Sequence, residues 1–361
     1  MKNIFVSLIL IFSTLFCYSS HFMGGEITWQ CIKGGPDIGK YIFQMKVYRD
    51  CNGITFSQTS QTLTHHNYPT LGTSTPILLN FTSITDISPN GTALSGNNCF
   101  DCSAGTLGAV EEYIWTSDPM TLAGTPPAEG WHFTWGSCCR SSSIDNGMAD
   151  DSWTLRAVMY PYTDINGNAI PADPCFDSSP KFDEQAKTII CTGYEFSYSH
   201  NASDVELDEI TYLWGEPLGD AFGYDPSNPN ATALTFSAPY SVTSPMPGNP
   251  TLDAVSGKIT YLSNTSGIFV TCVKVEARKC GQLVAEIYRE VQVVLVDCGT
   301  YNQPQDGFND PPTITEAFID PNGLPSYETT VYAGQLVQFN ITAEDNNTYA
   351  GGQFQDITLD A

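Results

Sequence analysis

The sequence is poor in basic residues and in long hydrophobic runs. Among 361 residues, 14 lysines and arginines stand against 39 aspartates and glutamates, and the formal net charge is −25. A surface of this charge repels phosphate backbones, which argues against nucleic acid as a partner. Beyond residue 19 the longest apolar run, Val291 to Val296, is strand-sized. The sequence therefore predicts no transmembrane segment.

Signatures of catalysis are also missing. The chain has five histidines, none in an HExxH context, and it has no GxSxG elbow. The stretch GGPDIGK at 34–40 matches most of a phosphate-loop pattern. However, Tyr41 follows it where Ser or Thr would bind magnesium, and a strand follows instead of a helix. The stretch is interpreted as a hairpin turn, and no residue is predicted to be catalytic.

The first 19 residues predict a cleaved export signal. A short basic head precedes the apolar run Ile4 to Phe16, which is too short to span a bilayer. A cut after Ser19 places small residues, Cys17 and Ser19, at −3 and −1. A lipoprotein anchored at Cys17 is an alternative, although a bulky residue precedes this cysteine. The mature chain is expected to be secreted or to lie on the outer-membrane exterior.

Export determines how the twelve cysteines are interpreted, because thiols pair in an oxidising compartment. Removal of Cys17 leaves eleven disulfide candidates: Cys31, Cys51, Cys99, Cys102, Cys138, Cys139, Cys175, Cys191, Cys272, Cys280 and Cys298. A bridge between adjacent Cys138 and Cys139 would strain the peptide that joins them. Each is therefore expected to pair with a distant partner within residues 20–174, with Cys99 and Cys102 as the nearest candidates. A four-thiolate zinc site from these four cysteines is the alternative.

Apolar residues alternate with polar ones throughout the chain. EITWQCI at 26–32 places Ile27, Trp29 and Cys31 on one face, and YIFQMKVYRD at 41–50 places Gln44 and Lys46 opposite its apolar residues. Such runs, bounded by Gly, Pro, Asn and Asp, indicate short strands. The sequence predicts an all-β protein of tandem immunoglobulin-like β-sandwiches with disulfides.

Clusters of Pro, Gly and Asp divide the chain after the signal peptide at 1–19. They predict an N-terminal β module at 20–174, an immunoglobulin-like sandwich at 175–299, and a linker with the start of a further, truncated module at 300–361. In the second module, two long strands are expected to be joined by a turn near residues 279–281. The entry strands of the third are expected before the acidic stretch at 343–347.

One acidic loop is a candidate calcium site. Asp204, Glu206 and Asp208 alternate, so their carboxylates would point the same way on an extended loop. Calcium takes six to eight oxygen ligands from such loops. The alternative is an ordinary solvated acidic turn.

Five stretches resemble one known family. They are SHFMGGEITWQC at 20–31, a strand ending in YRDC at residue 51, WGSCCR at 135–140, SSPKFDEQAKTIIC at 178–191 and LVDC at 295–298. The chain thereby resembles gliding-motility-associated surface proteins that are exported by type IX secretion and carry PKD-like or cadherin-like repeats. DVELDEI at 204–210 departs from the family's DPDGDSL because the glycine is missing.

The resemblance implies a noncatalytic surface protein with a role in adhesion or gliding motility. The expected partner is a surface, a glycan or a cell-envelope protein. The alternative is the noncatalytic binding region of a larger secreted hydrolase. A full reading frame would discriminate between these possibilities.

Overall fold

The fold was analysed in a computed structural model of the chain. It describes residues 22–51, 53, 55–68, 75–88, 109–149, 151–186, 189–297, 313–327, 329–332 and 334–345. Within these ranges nearly all regular elements are strands, together with a short 3-10 helix at Ala221–Gly223. No helix in the described ranges is long and apolar enough to cross a membrane. The predicted all-β fold is confirmed.

The strands differ widely in length. In chain order they are β1 (Phe22–Cys31), β2 (Tyr41–Asp50), β3 (Gln61–His66), β4 (Ile77–Asp86), β5 (Val110–Ser117), β6 (Trp131–Ser137), β7 (Trp153–Met159), β8 (Tyr162–Thr163), β9 (Ala169–Ile170), β10 (Lys181–Phe182), β11 (Ile189–Cys191), β12 (Glu195–Ser199), β13 (Ala202–Ser203), β14 (Glu209–Trp214), β15 (Thr251–Leu252), β16 (Lys258–Leu262), β17 (Gly267–Lys279), β18 (Gln282–Val296), β19 (Thr313–Ile314), β20 (Phe318–Ile319), β21 (Pro325–Ser326) and β22 (Ala343–Glu344). The long strands build the main sheet. β12, β16 and β15 form a separate three-stranded sheet, and the remaining two-residue strands form two-stranded pairs.

The main sheet closes on itself. Its described strands follow the order β1-β2-β5-β4-β3-β6-β7-β18, and β18 also pairs with β1. All of these pairings are antiparallel. On its other edge β18 pairs with β17, which in turn pairs with β14. Closure protects the edges of β1 and β7, which would otherwise present unpaired backbone groups.

Aromatic side chains fill the interior of this circuit. Trp29 in β1, Phe43 in β2 and Phe133 in β6 are almost completely buried. The rings of Phe43 and Phe133 are 4.6 Å apart, and those of Trp29 and Phe133 are 6.2 Å apart. The alternation that places Trp29 on the apolar face thus brings β1 and β2 against β6. Burying each of these rings contributes roughly 1.5–3 kcal/mol to stability.

The hairpin predicted near residues 279–281 is present. β17 and β18 pair over their whole length, and Lys279 lies opposite Gln282. Between these residues, Cys280 and Gly281 have φ angles of +50° and +80°. Two successive positive φ values suit the right-handed twist of a two-residue hairpin.

The first two predicted modules share one compact unit. The described residues from Phe22 to Leu295 cluster together, and a second unit begins at Val296. β18, from the predicted second module, pairs with β1 and β7 of the first, and a disulfide joins Cys31 to Cys175. The predicted boundary at 174/175 therefore lies inside a unit, because pairing between remote strands outweighs the Pro/Gly-rich stretch that suggested a linker.

The described residues of the second unit carry little regular structure. β19 pairs with β22, and β20 pairs with β21. Val337, Phe339 and Ile341 alternate as a strand would, but each side chain is 38–48% exposed. Before Ala343 these residues form no strand, in contrast to the entry strand predicted here. Alternation alone does not produce a strand when no neighbouring strand supplies hydrogen bonds.

Candidate functional site

An open polar groove of about 640 Å³ lies in the first unit. It is lined by Glu26, Thr28, Trp29, Gln30, Ile42, Gln44, Lys46, Thr116, Ser178, Ser179, Lys181, Phe182, Asp183 and Val205. We call it the polar groove. Its volume lies in the range of about 300–1,000 Å³ that is typical of ligand sites.

The floor of the polar groove is the outer face of three neighbouring strands. Thr28 in β1 lies opposite Gln44 in β2, and Gln44 lies opposite Thr116 in β5. We call these three residues the polar row. Their neighbours in sequence, such as Phe43 and Trp115, point into the core and are buried. The alternation of a half-buried sheet therefore creates both the core and the groove floor.

Residues 178–183 and Val205 form the opposite wall of the polar groove. The hydroxyl of Ser179 accepts a hydrogen bond from the backbone N–H of Trp29 at 2.9 Å, and that of Ser178 accepts one from Cys31 N–H at 3.1 Å. The N–H of Ser179 donates to the carbonyl of Trp29 at 3.0 Å. These bonds fix the wall against β1. The Val205 side chain is 64% exposed at the rim.

A buried charge network underlies one end of the groove. The Glu26 carboxylate is bound by Arg289 and accepts a hydrogen bond from the Tyr48 hydroxyl at 3.0 Å. The Lys46 ammonium lies 3.8 Å from Glu26 and 3.6 Å from Glu112. Burial alone would raise the pKa of Glu26, but Arg289 and Lys46 outweigh burial and hold the pKa below its ordinary value. Glu26 is therefore a carboxylate at neutral pH.

The other acidic group in the groove is also ionised. Asp183 forms an ion pair with Lys181 at 2.9 Å. Partial burial opposes ionisation, yet hydrogen bonds from Ser203 and Lys181 lower the pKa of Asp183 overall. The groove therefore contains two carboxylates and two ammonium groups, and all four have partners of opposite charge.

His200 lies near this network without a polar partner among the described residues. Its ring is 5.0 Å from Tyr198 and 5.8 Å from Phe182, and neither ring nitrogen has a hydrogen-bond partner there. Burial, followed by the charge of Arg289, lowers the pKa of His200 well below its usual value. The folded state therefore keeps His200 neutral under conditions in which the unfolded chain protonates it.

This difference predicts acid sensitivity. Between pH 8 and pH 5 the unfolded chain takes up a proton at His200 that the folded protein does not, so stability falls as the pH falls. With an unfolded pKa of about 6.5, the His200 contribution is about 2 kcal/mol. Urea denaturation at both pH values measures the free energy of unfolding. We expect it to fall between pH 8 and pH 5 by about 2 kcal/mol less in His200→Leu than in the wild type. Equal falls in the two proteins would contradict the prediction.

The predicted calcium residues do not converge on one point. Asp204 accepts hydrogen bonds from the backbone N–H groups of Glu206 at 2.9 Å and Asp208 at 3.1 Å, so it closes a turn. Glu206 forms an ion pair with Lys33 at 2.9 Å, and Asp208 forms one with Lys279 at 2.6 Å. No group of three or more metal-binding side chains occurs in the described part of the chain. Each carboxylate therefore has a different partner, whereas the prediction had all three pointing the same way.

The Lys279 ammonium lies between two carboxylates of this acidic region. Lys279 contacts Asp208 at 2.6 Å and Asp177 at 3.0 Å. We expect millimolar calcium and EDTA to give the same thermal midpoint for the wild-type protein. A calcium-dependent rise of several degrees that is abolished by Asp208→Asn would contradict this expectation and restore the calcium hypothesis. Asp164→Asn, in an exposed turn, serves as the matched control.

The cysteines only partly follow the prediction. Cys31 is joined to Cys175, and Cys51 and Cys191 are also disulfide-bonded. Cys272 is buried as a free thiol, and Cys280 is an exposed free thiol, so the prediction is wrong for these two. Burial strongly raises the pKa of Cys272, as expected for a thiol that packs as a small apolar side chain. Cys99, Cys102 and Cys298 lie outside the described residues.

Cys138 and Cys139 were expected to pair with distant cysteines, but the structure pairs them with each other. Their sulfur atoms are bonded to each other, and their Cα atoms are 3.1 Å apart. The prediction rested on the strain that such a bridge places on the joining peptide, and this peptide bond is cis in the structure. The arrangement also differs from the zinc alternative, which required both thiolates to be available.

Sequence reasoning did not identify the polar groove as a site. Gln44 and Lys46 lie opposite the apolar face of their strand, which is a typical pattern for residues that face water. Nothing local distinguishes such a face from one that residues 178–183 cover. The groove depends on the hydrogen bond between Trp29 and Ser179, which are 150 residues apart in sequence. Only information on which distant residues are in contact could have revealed it.

Comparisons with known proteins give little guidance. No protein-family model matches the sequence, and the search of curated proteins found no match. Among solved structures, the crystal structure of the N-terminal four Ig domains of Dscam1 isoform 4.44 aligns with 88% of this chain and 71% of its own. The identity is 9% and the TM-score is 0.17. A likeness of this strength assigns no function to the chain.

Proposed function

We propose that this chain is a noncatalytic protein of the cell exterior that binds a partner through the polar groove and acts in adhesion or gliding motility. The observation that carries the proposal is the groove itself. It is built on a rigid, closed sheet, and every charge that lines it is paired. Rigid, largely preformed sites of this kind are typical of ligand binding.

The state of the acidic groups does not suit general-acid catalysis. A general acid needs a pKa near the working pH, and enzymes commonly raise a carboxyl pKa for this purpose. The two carboxyl groups of the groove, Glu26 and Asp183, both have lowered pKa values. Neither is suited to donate a proton at neutral pH.

An extracellular location is supported by the disulfides. The bond between Cys31 and Cys175 joins parts of the chain that are 144 residues apart, and such bonds persist in oxidising compartments. The apolar leader and the acidic composition are consistent with export of a highly charged chain.

The proposed function can be tested on intact cells that produce the protein. Mild external protease is expected to remove the signal of an antibody raised against residues 22–297, and a deletion strain is expected to adhere or spread less than the parent. Complementation with the full gene serves as the control. A protease-resistant, intracellular protein whose deletion leaves adhesion and spreading unchanged would contradict the proposal.

A further inference from the structure

We infer that the polar groove binds a neutral oligosaccharide. This inference rests on the proposed function, since it assigns a ligand class to the same groove. It is carried by three features of the groove: the chemistry of its floor, the balance of its charges, and the occupation of the backbone edges around it.

The floor offers groups that match sugar hydroxyls. Thr28, Gln30 and Gln44 line the groove and make no side-chain hydrogen bond to other described residues. Amide and hydroxyl groups both donate and accept hydrogen bonds, as sugar hydroxyls do. Directly opposite residues of paired strands have Cβ atoms about 4.5–5.5 Å apart. Thr116 in β5 extends the row to a third strand, and its hydroxyl already accepts a hydrogen bond from Thr82 at 3.0 Å. The polar row therefore presents regularly spaced polar groups, those of Thr28 and Gln44 without a partner among the described residues, which suits a chain of linked sugar rings.

The charge balance argues against an ionic ligand. Lys46 faces Glu26 and Glu112, and Lys181 faces Asp183, so among the described residues no unpaired charge of either sign lines the groove. An acidic or sulfated ligand would have to compete with these carboxylates for the ammonium groups. A cationic ligand would meet carboxylates that already have partners. A ligand without charge avoids both costs.

The backbone edges argue against an extended peptide. A peptide usually joins a sheet by pairing with a free edge. Here β1 pairs with β2 and, through Gly24 to Glu26, with β18. Further along β1, the serine hydroxyls and backbone of the wall bind Trp29 and Cys31. A ligand in the groove therefore contacts side chains and not a free strand edge.

The experiment uses the full mature chain on an array of neutral, acidic and sulfated oligosaccharides, followed by calorimetry with the best neutral hexasaccharide. We expect binding to neutral members. Gln44→Leu and Thr28→Val are each expected to weaken it at least tenfold, because each removes a hydrogen-bonding group from the floor. Thr64→Val alters an exposed threonine of β3, outside the groove lining, and is the matched control with unchanged affinity.

Three outcomes would overturn the inference: no binding to any neutral oligosaccharide, binding to charged members alone, or binding that Gln44→Leu leaves unchanged while the variant keeps the wild-type thermal midpoint. The result is separable from the proposed function. If the deletion strain adheres poorly but the protein binds no neutral oligosaccharide, the ligand class is wrong and the adhesive role stands. If the protein binds oligosaccharide but lies inside the cell, the adhesive role is wrong.

Discussion

Replacing Arg289 with methionine is expected to lower the free energy of unfolding by about 3–5 kcal/mol, as for other broken buried ion pairs. Arg289 is completely buried; it binds Glu26, donates to the carbonyl oxygen of Glu184 at 2.8 Å and lies 4.0 Å from the ring of Phe182. Methionine fills much of the same space but leaves the carboxylate of Glu26 buried without its main counter-ion. Urea denaturation at pH 7 measures the loss as a lower midpoint at an unchanged slope.

Two further variants show whether charge is the cause. Combining Glu26→Gln with Arg289→Met removes both charges and is expected to recover part of the loss. Arg278→Met is the matched control, since this arginine pairs with Glu276 at 2.9 Å but is 38% exposed, and the expected cost is below about 1 kcal/mol. A single Arg289→Met variant within about 1 kcal/mol of wild type would contradict the prediction.

Two stretches noted in the sequence, GGEIT at 24–28 and WGSCCR at 135–140, both contact β18. Glu26 of the GGEIT stretch binds Arg289, and Arg140 of WGSCCR binds the next residue, Glu290. Arg140 also lies 3.8 Å from the ring of Trp153. Arg289 and Glu290 are successive residues of β18, so their side chains point to opposite faces of the strand. In one ion pair β18 supplies the cation and in the other the anion, and together the two pairs hold both faces. These residues therefore explain how the first unit closes, and they do not by themselves indicate a ligand.

The strands themselves could be predicted because their signal is local. Alternation identified β1 and β2, and a Gly-containing turn between two long apolar runs identified the β17–β18 hairpin. Each of these features depends on residues within about 30 positions of one another. Strand periodicity and turn chemistry act over this distance.

The closure of the sheet and the groove could not be predicted in this way. Glu26 and Arg289 are 263 residues apart, and nothing in either local sequence selects the other as a partner. The partner of Asp208 could not be predicted for the same reason, since Lys279 lies 71 residues away. A local cluster of charges does not reveal which distant charge neutralises it.

The second large effect is expected at Gly24, where alanine should cost at least about 4 kcal/mol or prevent folding. Gly24 has a φ of +139°, and a Cβ there would overlap the carbonyl oxygen of Glu290 and lie 3.0 Å from the Cα of Val291. Both obstacles are backbone atoms of a central strand, so they cannot move aside as a flexible side chain would. The pairing of β1 with β18 places Gly24 opposite Val291, and alanine would push these strands apart.

Substitutions at two other glycines distinguish the two causes of destabilisation in Gly24→Ala, which are the steric clash and the strained φ angle. Gly35 has a φ of +80° with open space where an alanine methyl would lie, and Gly34 has neither obstacle. Gly35→Ala is expected to cost about 1–2 kcal/mol from its φ angle alone, and Gly34→Ala less than about 0.5 kcal/mol. Soluble yield and urea denaturation of the three variants, measured in parallel, provide the comparison. If Gly24→Ala were no less stable than Gly35→Ala, the close approach of β1 to β18 would not limit the fold, and closure would depend on the ion pairs alone.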